Sequence, residues 1–234
     1  MSEIPKTEEL FDARHSIAEV LLEECEYPHQ ILPRIGGFIE DCSRLLDRSY
    51  LEVTKGVFIA DDATVWDGAT IVAPAIIGHR AEIRPGAFIR GNVIVGDGAV
   101  IGNSTELKNT IVLDEAQLPH YNYVGDSIIG YRAHLGAGAV ASNLRLDKSE
   151  VSVGSGDEKK PTGLKKVGVF LGDYAEVGCG SVLCPGTVIG REAAIYPMVS
   201  VKGIIPERSV YDGKTVKEKH SGDAIWEDFS ELME

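Results

Sequence analysis

From Ile59 onward an aliphatic residue recurs at every sixth position: Ile59, Val65, Ile71, Ile77, Ile83, Ile89, Val95, Ile101, Leu107 and Leu113. Two positions before each rung stands a small or β-branched residue: Ala63, Ala69, Ala75, Ala81, Ala87, Val93, Ala99, Thr105 and Ile111. The period returns at Ile129, Leu135 and Ala141, and again at Leu171, Val177, Leu183, Ile189, Ile195 and Val201. Six residues fit neither the 3.6-residue period of a helix nor the two-residue period of a strand. They fit one short strand plus one turn of a parallel β-helix, with the aliphatic residue pointing into a shared core. Gly78, Gly96, Gly102, Gly130, Gly136, Gly172, Gly178 and Gly190 directly follow the aliphatic position, where the turn needs a permissive backbone. Three rungs close a coil, so the repeat predicts roughly six coils, a prism about 30 Å long at ~4.8 Å per coil. The fold class expected is an all-β solenoid, stable only through the stacking of its coils.

An open solenoid end exposes unpaired strand edges and apolar core. Residues 1–56 are expected to supply a helical cap for one end. Leu10, Ala13, Ile17, Val20 and Leu21 form one helical stripe and Ile31, Ile35, Phe38, Cys42, Leu45 and Leu46 a second, with Tyr27-Pro28 between them and Gly36-Gly37 inside the second. Residues 57–206 are expected to form the β-helix, and residues 207–234 a tail. In that tail Ile225, Trp226, Phe229, Leu232 and Met233 share one face of a short C-terminal helix over Asp223–Met233.

Composition narrows the function. The 234 residues carry a net charge of -13, which argues against sequence-independent binding to nucleic acid. The acids concentrate in the flanks: residues 1–56 hold twelve acids and six bases, and residues 57–206 hold sixteen and thirteen. An anionic small molecule is therefore compatible with the middle of the chain if a few cations converge there. No stretch approaches the 18 apolar residues of a membrane span. Met1–Leu10 has neither a basic nor an apolar region and is not expected to act as a secretory signal. Cys25, Cys42, Cys179 and Cys184 show no CxxC spacing and are expected to be reduced thiols of a cytoplasmic protein.

The repeat is interrupted at 114–124 and at 144–168, and insertions in a solenoid often carry function. Taken alone, His120 is an ordinary loop histidine, and Lys159-Lys160 with Lys165-Lys166 a solvated turn. The segment GNSTELKN, followed by LPHYNYVGDSIIGYRAHLGAGAVASNLRLD, changes that view. It resembles the left-handed β-helix acyltransferases of the hexapeptide-repeat superfamily. Within them it is similar to the acetyltransferase domain of the bifunctional glucosamine-1-phosphate acetyltransferase/N-acetylglucosamine-1-phosphate uridylyltransferase, and to the corresponding domain of archaeal sugar-1-phosphate nucleotidylyltransferases. The left hand of the coil is implied by this resemblance, since ordinary crossovers are right-handed.

The resemblance implies an acetyl-CoA-dependent N-acetyltransferase acting on an amino-sugar phosphate, with no metal, as a homotrimer whose clefts lie between subunits. It places His120 as the catalytic base. Lys108, Tyr123 and Asn143 fall on substrate-binding positions, and Arg90 on a phosphate-binding arginine with Arg84 nearby. Lys166, or Lys148, falls on a lysine of the second insertion. Ala137 meets the acyl donor beside Gly136, and Arg191 is available to the phosphates of coenzyme A. His134 stands where the family has asparagine, Leu144 where a tyrosine often sits, and Cys179 and Pro197 replace small residues of the donor groove. Residues 1–56 hold no Gly-rich nucleotide loop, so nucleotidyl transfer is not expected of them.

These residue types suit the chemistry. Histidine titrates near neutrality and can take a proton from the attacking amine. Backbone N–H groups near Gly136-Ala137-Gly138 can meet a developing oxyanion, and Arg90 and Lys108 can meet a phosphate. Two alternatives are a non-catalytic sugar-phosphate-binding or scaffolding relative, and a γ-class carbonic-anhydrase-like zinc enzyme. The second needs a close histidine pair that His79, His120 and His134 do not supply.

Overall fold

Each aliphatic rung contributes one inward side chain to a triangular core, and the turns between rungs set three flat faces. The computed structural model describes residues 4–154 and 159–219. Parallel pairing stacks the first face in the order Val57–Ala60, Ala75–Ile77, Val93–Val95, the far half of Glu106–Val112, the far half of Tyr123–Ile129, Val169–Leu171, Thr187–Ile189 and Ile204–Ile205. The prism therefore has eight coils on this face rather than roughly six. One buried cluster runs through it, from Ala75 and Ile77 to Val201 and Ile205.

The rungs the period did not show are Leu118 and Val124 in the interrupted stretch, and Ile205 and Tyr211 beyond Val201. In the core Leu107 is followed by Val112, not by Leu113, and Val124 is followed by Ile129. Each of these steps is one residue short. At each, a single residue in left-handed backbone, Asn109 or Asp126 (both φ 50°), turns the corner alone. Residues 114–124 are thus not a loop. Gln117–His120 pairs with Val100–Asn103 on one side and with His134–Leu135 on the other, and Tyr123–Ile129 pairs with Glu106–Val112. The second expected insertion does leave the prism, after Asn143. It contains the antiparallel pair Ser152–Val153 with Lys160–Pro161, and returns where Lys166 bridges Leu144.

The N-terminal segment lies along the prism, not across its end. On the first face the residue between two inward ones points outward and is apolar: Ile76, Ile94, Ile111, Ile128, Phe170 and Val188. These pack against Leu10, Phe11, Leu21, Leu22, Ile31, Leu32, Ile35 and Ile39. A sheet buried on both faces reads as a continuous apolar run, and such a face needs a covering layer. The cover is built of short pieces, Thr7–Leu10, Glu19–Glu23 and Ile35–Cys42 with three 3-10 turns, because Pro28, Pro33 and the turns between them stop any long helix. Ile35–Cys42 approaches the prism closely at Gly36, where a Cβ would lie 2.6 Å from Asn92 Oδ1. Backbone bonds fasten the layer to one corner: Asp114 N donates to His15 O, Asp173 N to Leu10 O, and Asp12 N to Asp173 Oδ2. His15 stacks on Tyr131 with ring centres 3.6 Å apart.

The end edges are met by antiparallel strands. Tyr50–Thr54 pairs with Val57–Ala60, and Val216–Glu218 with Ser209–Tyr211. The expected helix over Asp223–Met233 lies outside the described residues. No helix among the described residues is long and apolar enough to cross a membrane. All four cysteines are free thiols.

Candidate active site

The second face stacks Glu82–Ile83, Val100–Asn103, Gln117–His120, His134–Leu135, Glu176–Val177 and Ala194–Ile195, and the third stacks Phe88–Arg90, the near halves of Glu106–Val112 and Tyr123–Ile129, Val140–Ala141, Val182–Leu183 and Ser200–Val201. The corner between these two faces gathers most of the residues expected around the acyl donor. Backbone hydrogen bonds step along it from coil to coil: Gly138 N to His120 O, Gly180 N to Ala137 O, and Met198 N to Cys179 O, at 2.9–3.0 Å. His120, Ala137, Cys179 and Pro197 therefore stand at successive levels of one edge, and all four are exposed. Exposed Tyr121, Tyr196 and Met198 flank them. Gly136 N and Gly138 N are spent within the solenoid, on Val177 O and His120 O. The N–H of Ala137 makes no hydrogen bond among the described residues.

Asn122 underlies this edge. It is buried at 2 % exposure, its Oδ1 accepts from His120 N at 3.2 Å, and its Nδ2 donates to Gly136 O and Ala139 O at 2.9 and 3.2 Å. One side chain thus ties the His120 turn to the Gly136–Ala139 turn of the next coil. Sequence reasoning missed it, although a signal exists: asparagine interrupts a column of small inward residues, Ala87, Thr105, Ala139 and Ser181.

The third face carries the polar residues. Lys108 stands beside Gly125 on the neighbouring strand. Arg90 Nη1 donates to Glu106 Oε1 at 2.5 Å, and that carboxylate holds the guanidinium above its ordinary pKa. Lys108 Nζ lies 3.1 and 3.3 Å from the two oxygens of Asp126, and Asn143 Nδ2 donates to the same carboxylate at 2.5 Å. Tyr123 leans over Gly125. A Cβ there would sit 2.7 Å from the Tyr123 hydroxyl and 2.6 Å from Asn143 Nδ2. Burial, then the charges of Glu106 and Asp126, push the Tyr123 phenol up, so it stays protonated as a donor. Glu106 and Asp126 were given no role in the sequence, though both belong to the segment that carries the resemblance.

The remaining expected residues separate. Arg84 sits on the same edge as His120, two coils earlier, with Nη2 2.9 Å from Glu82 Oε2. Lys166 is exposed at the return of the insertion, next to Val167, whose N–H donates to Asn143 O. Lys148 is exposed further out on the insertion. His134 lies on the second face, two residues ahead of Gly136, with Nδ1 3.0 Å from Glu176 Oε2. Arg191 is not at the edge of His120. It lies on the corner that holds the N-terminal layer, donating to Glu8 O at 3.1 Å and facing Asp173 Oδ2 at 3.5 Å. Its place follows from rung arithmetic, because it succeeds Gly190 as Asp173 succeeds Gly172. His79 is elsewhere again, bonded to Asp62 at 2.8 Å and to Ser49 at 3.1 Å. Among the described residues, metal-type donors gather at Asp61, Asp62 and His79 and not around His120 or His134.

Comparison with known proteins agrees with this architecture. The family model described as the GMPPB C-terminal domain matches residues 71–156. The bifunctional sugar-1-phosphate nucleotidylyltransferase/acetyltransferase of Sulfurisphaera tokodaii is 35% identical over 71% of this chain and 40% of its own length. The bifunctional protein GlmU of Methanococcus vannielii is 32% identical over 77% of this chain and 42% of its own length. The chain thus spans about two fifths of these two relatives. The uncharacterized acetyltransferase YaiX of Escherichia coli is 32% identical over 70% of this chain and 71% of its own length. The repeat, the eight-coil prism and this last match, which covers about seven tenths of both chains, place the chain in one family: it belongs to the hexapeptide-repeat acetyltransferases.

Proposed function

We propose that the protein transfers an acetyl group from acetyl-CoA to the amine of an amino-sugar phosphate, glucosamine-1-phosphate or a close analogue. The observation that carries this is the placement of His120 on one exposed edge with Ala137, Cys179 and Pro197, directly beside a face bearing Arg90, Lys108, Tyr123 and Asn143. The names of the two bifunctional relatives, which include acetyl transfer and sugar-1-phosphates, support the same chemistry.

In this mechanism the acyl donor lies along the edge and the sugar on the third face. His120 accepts the proton of the substrate amine as the amine attacks the thioester carbonyl. The carbonyl oxygen gains negative charge and meets the open N–H of Ala137. Collapse of the tetrahedral species breaks the C–S bond. The departing thiolate takes the proton back from His120, leaving an amide and free coenzyme A. Tyr123 and Asn143 orient the sugar, and Arg90, Lys108 and the insertion lysines Lys166 and Lys148 meet its phosphate. The exposed apolar strip at Tyr121, Tyr196 and Met198 is where a neighbouring subunit of a homotrimer would complete the cleft. A cytoplasmic location goes with this reading, since acetyl-CoA is a cytoplasmic donor.

Release of free thiol from acetyl-CoA tests the proposal, with glucosamine-1-phosphate, galactosamine-1-phosphate and nucleotide-linked amino sugars as acceptors. Turnover with an amino-sugar phosphate is expected. His120→Ala is expected to lower kcat about 10²- to 10⁴-fold, the usual contribution of a general base, with unfolding unchanged because the ring is exposed. Full activity in that variant would remove the base. Absence of turnover with every acceptor, despite binding, would favour the non-catalytic alternative.

A further inference from the structure

Asp126 is the carboxylate on which Lys108, Asn109 and Asn143 converge. It is 4 % exposed. Its Oδ1 accepts from Lys108 Nζ at 3.1 Å and from Asn109 Nδ2 at 2.9 Å. Its Oδ2 accepts from Asn143 Nδ2 at 2.5 Å and faces Lys108 Nζ at 3.3 Å. Its backbone carbonyl accepts from Gly168 N at 2.6 Å, where the insertion rejoins the prism. A buried carboxylate with this many donors is satisfied, whereas the donors without it would lose a charged partner.

The turn does not explain the charge. Asn92 and Asn109 hold the same corner in the two preceding coils with the same left-handed backbone, φ 52° and 50° against 50° for Asp126. An asparagine is sufficient for that backbone. What distinguishes the coil of Asp126 is the lysine beside it. Lys108 is the residue whose ammonium the carboxylate meets, and its side chain is 28 % exposed, against 6 % for Asp126. The lysine is open to a ligand and the aspartate is not.

We infer that Asp126 is a positioning residue for the sugar-phosphate subsite: buried beneath it, the carboxylate holds Lys108 and Asn143 in the orientation that meets the substrate. This rests on the function proposed above. Asp126 makes no contact with the substrate and acts through those two side chains. Because its charge offsets that of Lys108, the pair is neutral overall, and the value of Lys108 to a ligand lies in where its ammonium is held.

The variant Asp126→Asn keeps a residue that this corner already accepts twice. Steady-state kinetics with acetyl-CoA and the amino-sugar phosphate should show KM for the sugar phosphate raised about tenfold, the scale of one lost charge-assisted hydrogen bond. KM for acetyl-CoA should be unchanged, since the donor edge is a separate corner. In a Lys108→Met background Asp126→Asn should add less than about a further twofold, because coupled residues are not additive. Equal rises in both KM values, or effects that multiply, would overturn the inference and leave a structural residue. A fall in KM would also overturn it, by showing that Asp126 merely competes with the substrate for Lys108. A second readout needs no turnover: the rate at which Lys108 is reductively methylated, followed by mass spectrometry. It should rise severalfold in Asp126→Asn if the carboxylate holds the ammonium. An unchanged rate sinks the positioning role, whereas a raised rate in a protein with no acetyl transfer sinks only the proposed function.

Discussion

Gly125 lies beneath two polar side chains of the third face. The space of its missing Cβ is filled by the Tyr123 hydroxyl and Asn143 Nδ2, at 2.7 and 2.6 Å. Both are ends of side chains, so Gly125→Ala should keep the fold while displacing the two groups, with some loss of stability because Asn143 leaves the buried Asp126. A misplacement of about 1 Å at a binding site can cost about 10²-fold. Titration with the amino-sugar phosphate by calorimetry should show affinity lost by at least about tenfold, and an unchanged affinity would mean that Tyr123 and Asn143 do not contact the sugar. At this scale the register of some positions was legible in the sequence and that of others was not. Once the period is set, positions 137, 179 and 197 each stand two residues past a rung, whereas His120 lies inside the interrupted stretch and was placed by the resemblance. Arg191 falls on another corner by the same arithmetic, and assigning it to the donor set its charge above its register. Asp126 and Asn122 were less legible because their roles are internal: each serves neighbours two strands away that only the stacked register brings within reach.

Among the elements, the N-terminal layer departs most from expectation. Its apolar stripes were visible, but the surface they cover was not. The outward residues of the first face, such as Ile76 and Ile94, sit between two inward aliphatic residues and pass for ordinary members of an apolar run. Leu113, which continued the six-residue count, hides the shift that puts Val112 in the core and leaves Leu113 with the N-terminal layer. Ile111→Ala removes a fully buried side chain from that second cluster. It should lower unfolding free energy by about 2–5 kcal/mol in denaturant titration. A change under about 0.5 kcal/mol would show that the layer is only loosely placed.

The same layer carries a pH dependence. Burial, then the nearby charge of Lys160, holds His29 below its ordinary 6.5, and its Nδ1 is buried without a partner. Lys160 itself donates to the Tyr27 hydroxyl at 2.7 Å and lies over the Tyr27 ring, joining the insertion to the layer. A base whose folded pKa is depressed favours folding in its neutral form. Its contribution is complete above pH 6.5 and is lost as the pH falls through the lower, folded value. Amide exchange over residues 28–34, corrected for intrinsic rates, should therefore quicken as the medium is acidified below 6.5. His29→Phe should flatten that dependence, and persistence of the same slope in the variant would assign it to another group.

For the whole molecule, the claim is that one solenoid edge receives the acyl donor while the adjacent face receives the sugar, with His120 where they meet. The fold beneath that claim was readable because a six-residue period leaves few alternatives. The number of coils was not, since one-residue-short turns hide Leu118 and Val124 and the rungs continue past Val201 off the six-residue count. The most direct test is a crystal structure with coenzyme A bound. The account predicts the pantetheine chain running along Pro197, Cys179 and Ala137, with its sulfur beside the His120 imidazole. Coenzyme A seated instead on the corner of Arg191, or with its sulfur far from His120, would contradict it.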